Sequence, residues 1–141
     1  MNQIRKNKSK RDLALIFSEK KANAAAVYTT NLVKGAPLTV TKQHISDGYA
    51  QAVIVNSGNA NTCNADGEEK AREMCKLTAD ALGIAPEQVI VASTGVIGQI
   101  LPIEPIREAV PELVKKLSYE GNLEAATAIM TTDTFPKECA V

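Results

Sequence analysis

The chain has 141 residues, 45% of them hydrophobic, a length and content that allow one domain with a real core. Sixteen basic and sixteen acidic side chains cancel, and with no Trp, two Phe and three Tyr there is little to stack on bases, so a domain built to bind nucleic acid is excluded. Three cysteines without a C-x-x-C pair indicate neither a disulfide framework nor a zinc site, and no apolar run approaches the roughly 20 residues of a membrane span, so a cytoplasmic protein is expected.

Arg5, Lys6, Lys8, Lys10 and Arg11 form the one local charge imbalance. A solvated, frayed terminus accounts for it, whereas a nucleic-acid or lipid-binding arm would need a longer run or interleaved aromatics. Leu13 to Phe17 and Ala24 to Thr30 read as strands flanking a charged turn, and their spacing predicts an antiparallel pair. Pro37 to Thr41 reads as a third, half-buried strand, because Leu38 and Val40 alternate with threonines. His44, the only histidine, falls in a polar stretch and reads as a surface turn residue rather than a general base.

Ala52 to Val55 is a continuous apolar run and hence a central strand, delivering Asn56 to Asn64 into a loop of small polar residues. The clearest helix follows. Asp66 and Glu69 resemble a capping box, Ala71, Met74, Cys75, Thr78 and Leu82 share a face, and Gly83 supplies the stop. Cys75 on that face is a small core residue, not a nucleophile. Val89 to Ala92 then gives a strand, helix, strand unit, and if its strands are parallel their C-terminal ends carry two polar loops side by side.

The second of those loops, Ser93 to Gly98, places a hydroxyl beside a glycine. Thr94 and Gly95 can form a two-donor cradle for an oxyanion, and the same letters equally suit a strand-ending turn. A phosphate loop at Gly95 and Gly98 lacks a lysine. A helix is expected from about Ile103, with Pro111 kinking or breaking it, and another capped by Asn122 through Met130. Thr131 to Thr134 make a third polar loop, and Cys139 to Val141 read as the start of a strand.

Four segments, Tyr28-Thr29-Thr30-Asn31, Val53 to Asn61, Ala92 to Gly98 and Ala128 to Thr134, together resemble the ornithine acetyltransferase (glutamate N-acetyltransferase, ArgJ-like) family of arginine biosynthesis. The resemblance extends over nearly the whole chain. It implies a precursor that cleaves itself at an Ala-Thr bond into α and β chains, the new N-terminal Thr of β being the nucleophile. Acetyl would pass from N-acetylornithine to that Thr and then to glutamate, with no bound cofactor and with acetyl-CoA as an additional donor in bifunctional members. Matched position by position, Thr94 and Gly95 are the catalytic oxyanion-hole residues and Thr131 is a substrate-binding threonine; no metal site is implied. For Asn56, Asn59 and Asn61 the resemblance supports a loop near the active site, and turn formation explains them.

The implied fold is α/β, a mixed β-sheet layered with helices in the DmpA-like and ArgJ-like αββα sandwich, completed by a separate β chain in an α2β2 heterotetramer. The sequence by itself supports only the mixed sheet. The chain lacks the family's Gly-rich opening segment and ends before the Lys-Gly-rich run and the Ala-Thr junction. Residues 1–141 are therefore expected to be one α-chain domain, incomplete at both ends and without acetyl transfer of its own. The rival expectations are a non-catalytic small-ligand or anion-binding module and a self-processing amidase or aminopeptidase.

Overall fold

A computed structural model describes residues 11–139. The elements are β1 (Leu13–Asn23), α1 (Ala36–His44), β2 (Tyr49–Asn56), α2 (Gly67–Leu82), β3 (Val89–Ser93), α3 (Glu104–Lys115) and α4 (Asn122–Ala128), with short 3₁₀ turns at Ile45–Asp47 and Pro86–Gln88. The strands form one three-stranded sheet in the order β1-β2-β3. β1 runs antiparallel to β2 and β3 runs parallel to it.

The register explains the core. Leu15, Ile54 and Val91 lie side by side across the three strands, and all three are buried. Because side chains alternate faces along a strand, Ala52 and Val89 share this side. Helices cover it with Val40 from α1, Met74, Cys75 and Ala79 from α2, and Ile106 and Val110 from α3. The opposite face carries Ile16, Val53, Val55, Ile90 and Ala92, all of them only partly covered or exposed, with Ile16 58% exposed.

The mixed sheet and the strand, helix, strand unit from Ala52 to Ala92 are as expected. α2 presents Ala71, Met74, Cys75 and Thr78 to the core and stops at Gly83, whose φ of 71° is open to glycine at low cost. Its start differs from expectation. Asp66 makes no side-chain cap bond, and Glu68 and Glu69 instead place negative charge on the first turn, where the helix dipole favours it.

Two expected strands are not strands. The segment Pro37 to Thr41 is helical: Gly35 enters extended, Pro37 sits in the first turn where its missing N–H costs nothing, and Pro37, Val40 and Thr41 are the buried positions. Their i, i+3, i+4 spacing is that of a helix face. Residues 24–30 carry no regular structure, and β1 instead continues through the charged stretch to Asn23, pairing with β2 after a register shift between Phe17 and Ala22. β2, not the following segment, fills the antiparallel slot.

Smaller corrections concern single residues. His44 ends α1 half-buried, with Nδ1 2.8 Å from the Val89 carbonyl, rather than lying in a surface turn. α3 runs unbroken through Pro111, because the proline is exposed and the Arg107 carbonyl it leaves unpaired is on a solvent-facing residue. Asn122 is the first residue of α4 and not its cap; its amide reaches the Glu138 carboxylate. Cys139 is not in a strand, while Ala140, Val141 and most of the basic start lie outside the described residues. Arg11, within them, pairs with Glu124 of α4 at 3.0 Å.

Candidate functional site

β2 and β3 are parallel and in register to their last residues, Asn56 opposite Ser93, so both release their chains at the same sheet edge. The loops that follow continue the pairing. Thr94 N–H donates to the Asn56 carbonyl (2.8 Å), Ala60 N–H to Val96 (2.8 Å) and Gly98 N–H to Thr62 (3.3 Å), with a further parallel bridge between Asn59 and Val96. The two loops are thereby one hydrogen-bonded unit.

Three asparagines fold the first loop upon itself. The Asn56 carboxamide accepts from Gly58 N–H (2.8 Å) and donates to the Asn59 carbonyl (2.7 Å), with a longer contact to Ser93 Oγ at 3.4 Å. Asn59 accepts from Asn61 N–H (2.7 Å) and donates across to Gln99 (2.9 Å), and Asn61 donates to Gly67 at the start of α2 (2.8 Å). All three are buried. Asn56 and Asn59 close Asx turns, and Asn61 adopts φ 48°, a left-handed conformation that asparagine tolerates better than most residues.

Gly95 is required twice over. Its φ is 126°, and a Cβ there would lie 2.7 Å from the Gly58 carbonyl carbon and 2.8 Å from Asn59 N. The second loop thus rests its α-carbon directly on the Gly58–Asn59 peptide, an approach no other residue type permits. Thr94 is exposed beside it. Among the described residues neither the Gly95 N–H nor the Thr94 hydroxyl has a hydrogen-bond partner, which leaves two neighbouring donors available at an open surface.

The third loop is tied in by a residue that the sequence reading did not single out. Ser57, buried at the start of the first loop, donates its hydroxyl to the Ala128 carbonyl at the end of α4 (2.6 Å), three residues before Thr131. Its signal in the sequence is only that of one more small polar residue. Thr131 is half-buried and its N–H reaches Asp133 Oδ2 at 3.4 Å. The Lys137 ammonium, hydrogen-bonded to Asp133, and then the Thr131 N–H hold the Asp133 carboxyl below its ordinary range. Asp133 therefore closes this loop backward onto the Thr131 main chain and forward onto Lys137.

Cys75 is confirmed as core: burial pushes its thiol up to about 12, and its sulfur lies 3.5 Å from the Val89 carbonyl. Groups of three or more metal-binding side chains do not occur among the described residues. A hollow of about 850 Å³ lies elsewhere, between β1, α3 and α4, with Ile16, Leu113 and Ile129 in its lining. Thr94 and Gly95 stand outside it, on the sheet edge.

Fold and site together define a mixed α/β protein whose polar loops gather where two parallel strands end. Two solved structures share the arrangement, each with a TM-score of 0.83 and 40% sequence identity: the arginine biosynthesis bifunctional protein ArgJ of Bacillus halodurans, matched over 91% of this chain and 68% of that one, and ornithine acetyltransferase of Mycobacterium tuberculosis in complex with ornithine, over 89% and 69%. The chain belongs to the ArgJ family, whose pattern matches residues 1–141. Among curated relatives, the arginine biosynthesis bifunctional proteins ArgJ of Symbiobacterium thermophilum and Caldanaerobacter subterraneus are 52% and 50% identical over 93% and 95% of this chain. The chain spans about a third of their length, 33% and 34%.

Proposed function

We propose that this chain is the α-chain portion of an acetyltransferase that moves an acetyl group from N-acetylornithine to glutamate, its Thr94 hydroxyl and Gly95 N–H forming the oxyanion hole. The observation that carries the reading is that pair of adjacent, unpartnered donors on a loop held rigidly from beneath. A threonine at the start of a β chain would attack the acetyl carbonyl. The tetrahedral oxyanion would accept hydrogen bonds from Thr94 and Gly95, ornithine would leave with a proton, and the resulting acetyl ester would be attacked by the glutamate amine to regenerate the threonine. Donors already oriented when charge develops lower the barrier because nothing has to reorganise. Thr131 would bind the amino-acid part of the substrate.

A partner chain is supported by the relatives, of which this chain spans a third, and by the open surroundings of Thr94. The α2β2 assembly, the absence of a bound cofactor and a cytoplasmic setting belong to the same proposal; among the described residues no helix is long and apolar enough to cross a membrane. Because the curated relatives are named bifunctional, acetyl-CoA is proposed as a second acetyl donor to glutamate.

Coexpression with a β chain beginning at Thr provides the test. Thr94→Ala is expected to lower turnover of N-acetylornithine and glutamate by about 100- to 1,000-fold, the usual cost of losing one oxyanion donor. Unchanged turnover would remove the assignment. Release of CoA from acetyl-CoA in the presence of glutamate tests the second donor.

A further inference from the structure

We propose that Asn56 is a positioning residue for the oxyanion pair, acting through the Gly58–Asn59 peptide; this rests on the reading of Thr94 and Gly95 given above. The Asn56 side chain is fully buried and brackets that peptide, accepting from the Gly58 N–H before it at 2.8 Å and donating to the Asn59 carbonyl after it at 2.7 Å. The peptide between those two bonds is the floor on which Gly95 sits, where a Cβ would come within 2.7 Å of the Gly58 carbonyl carbon. The Asn56 main chain meanwhile receives Thr94 N–H at 2.8 Å. One residue thus fixes both members of the pair, Thr94 through its carbonyl and Gly95 through the peptide its carboxamide holds.

The chemistry of the clasp calls for a carboxamide. It must accept at one end and donate at the other, and among side chains of this length only Asn, or a protonated Asp, offers both. An ionised aspartate keeps the Gly58 bond but sets a negative oxygen against the Asn59 carbonyl, pushing the floor and Gly95 out of line. Displacements of about 1 Å at such a site cost on the order of 100-fold.

The test is Asn56→Asp in the assembled enzyme, with Thr94→Ala and the double variant alongside. At neutral to alkaline pH the Asp variant is expected to lose about 10- to 100-fold in kcat with KM for N-acetylornithine little changed. Relative to the unaltered enzyme the deficit should close as pH falls and the buried carboxyl takes up its proton, a recovery that a simple packing defect would not show. The Asp substitution should also cost less in the Thr94→Ala background, since both act on one oxyanion. Thr94→Ala impaired with Asn56→Asp fully active at every pH overturns the positioning role alone; Thr94→Ala fully active overturns the oxyanion reading and the positioning role with it. Should the Asp variant fail to assemble, hydrogen exchange of the unaltered enzyme decides: Gly58 N–H is expected among the slowly exchanging amides, and exchange as fast as in the exposed loop 132–137 overturns the clasp.

Discussion

Cys75 shows how burial alone silences a reactive group. Its thiol lies on the core face of α2 with no exposed surface, and withdrawal from water raises its pKa from 9.0 to about 12 because a thiolate would be stranded in an apolar medium. In the unfolded chain the thiol ionises near its ordinary value, whereas in the fold it stays protonated until about pH 12. The thiol's contribution to stability is therefore complete below about pH 9 and lost as pH rises toward 12. Alkaline unfolding of the unaltered chain should show this loss, and Cys75→Ala, whatever its effect at neutral pH, should show a shallower decline between those values. Thiol titration provides a second check, since Cys63 and Cys139 are exposed and should react rapidly while Cys75 stays inert.

Among the elements, α3 carries the clearest conflict between local chemistry and tertiary packing. Pro111 interrupts the helical ladder in its interior, yet Ile106 and Val110 are buried one turn apart and hold the helix to the core. Burial of this amphipathic face outweighs the lost hydrogen bond. Pro111→Ala restores an N–H for the Arg107 carbonyl at an exposed position and is expected to stabilise the chain by about 1–3 kcal/mol, measured as a rise in the chemical-denaturation midpoint without a change of slope. The same competition decides what could be read from the sequence. β2, β3 and α2 were legible because their apolar patterns are long and bounded by clear stops at the Asn-rich loop and Gly83. In contrast, Leu38 and Val40 alternate with threonines like a strand, and only packing against β3 shows that Pro37, Val40 and Thr41 are the positions that count. Residues 24–30 have strand-like letters and no strand, since strand propensity counts only where a neighbour pairs with it, and the antiparallel neighbour of β1 is β2. Of the site, the two loops and their adjacency followed from the strand ends. The Ser57 tether and the Asn56 clasp did not, because neither leaves any periodicity to read.

At the scale of the molecule, the sheet is covered by α1, α2 and α3 on one side and carries a partly bare aliphatic row on the other. That row and the open edge beside Thr94 are the two surfaces that the described helices leave uncovered, in a chain that spans about a third of the length of its curated relatives. The α4 segment adds a different kind of connection. It reaches the loop edge through a buried bond from Ser57 to Ala128, while the two glycine-bearing loops are laced to each other by main-chain pairing that does not involve Ser57 Oγ. Those attachments can be cut separately. Ser57→Ala should release the end of α4, seen as faster hydrogen exchange through residues 125–131, while exchange in residues 94–98 stays as it was; equal acceleration in both segments would contradict this division. The end of α4 and the stacked glycine loops therefore answer to different bonds, so a change at Ser57 shifts residues 129–131 against the sheet edge while the main-chain bonds between residues 56–62 and 94–98 stay in place.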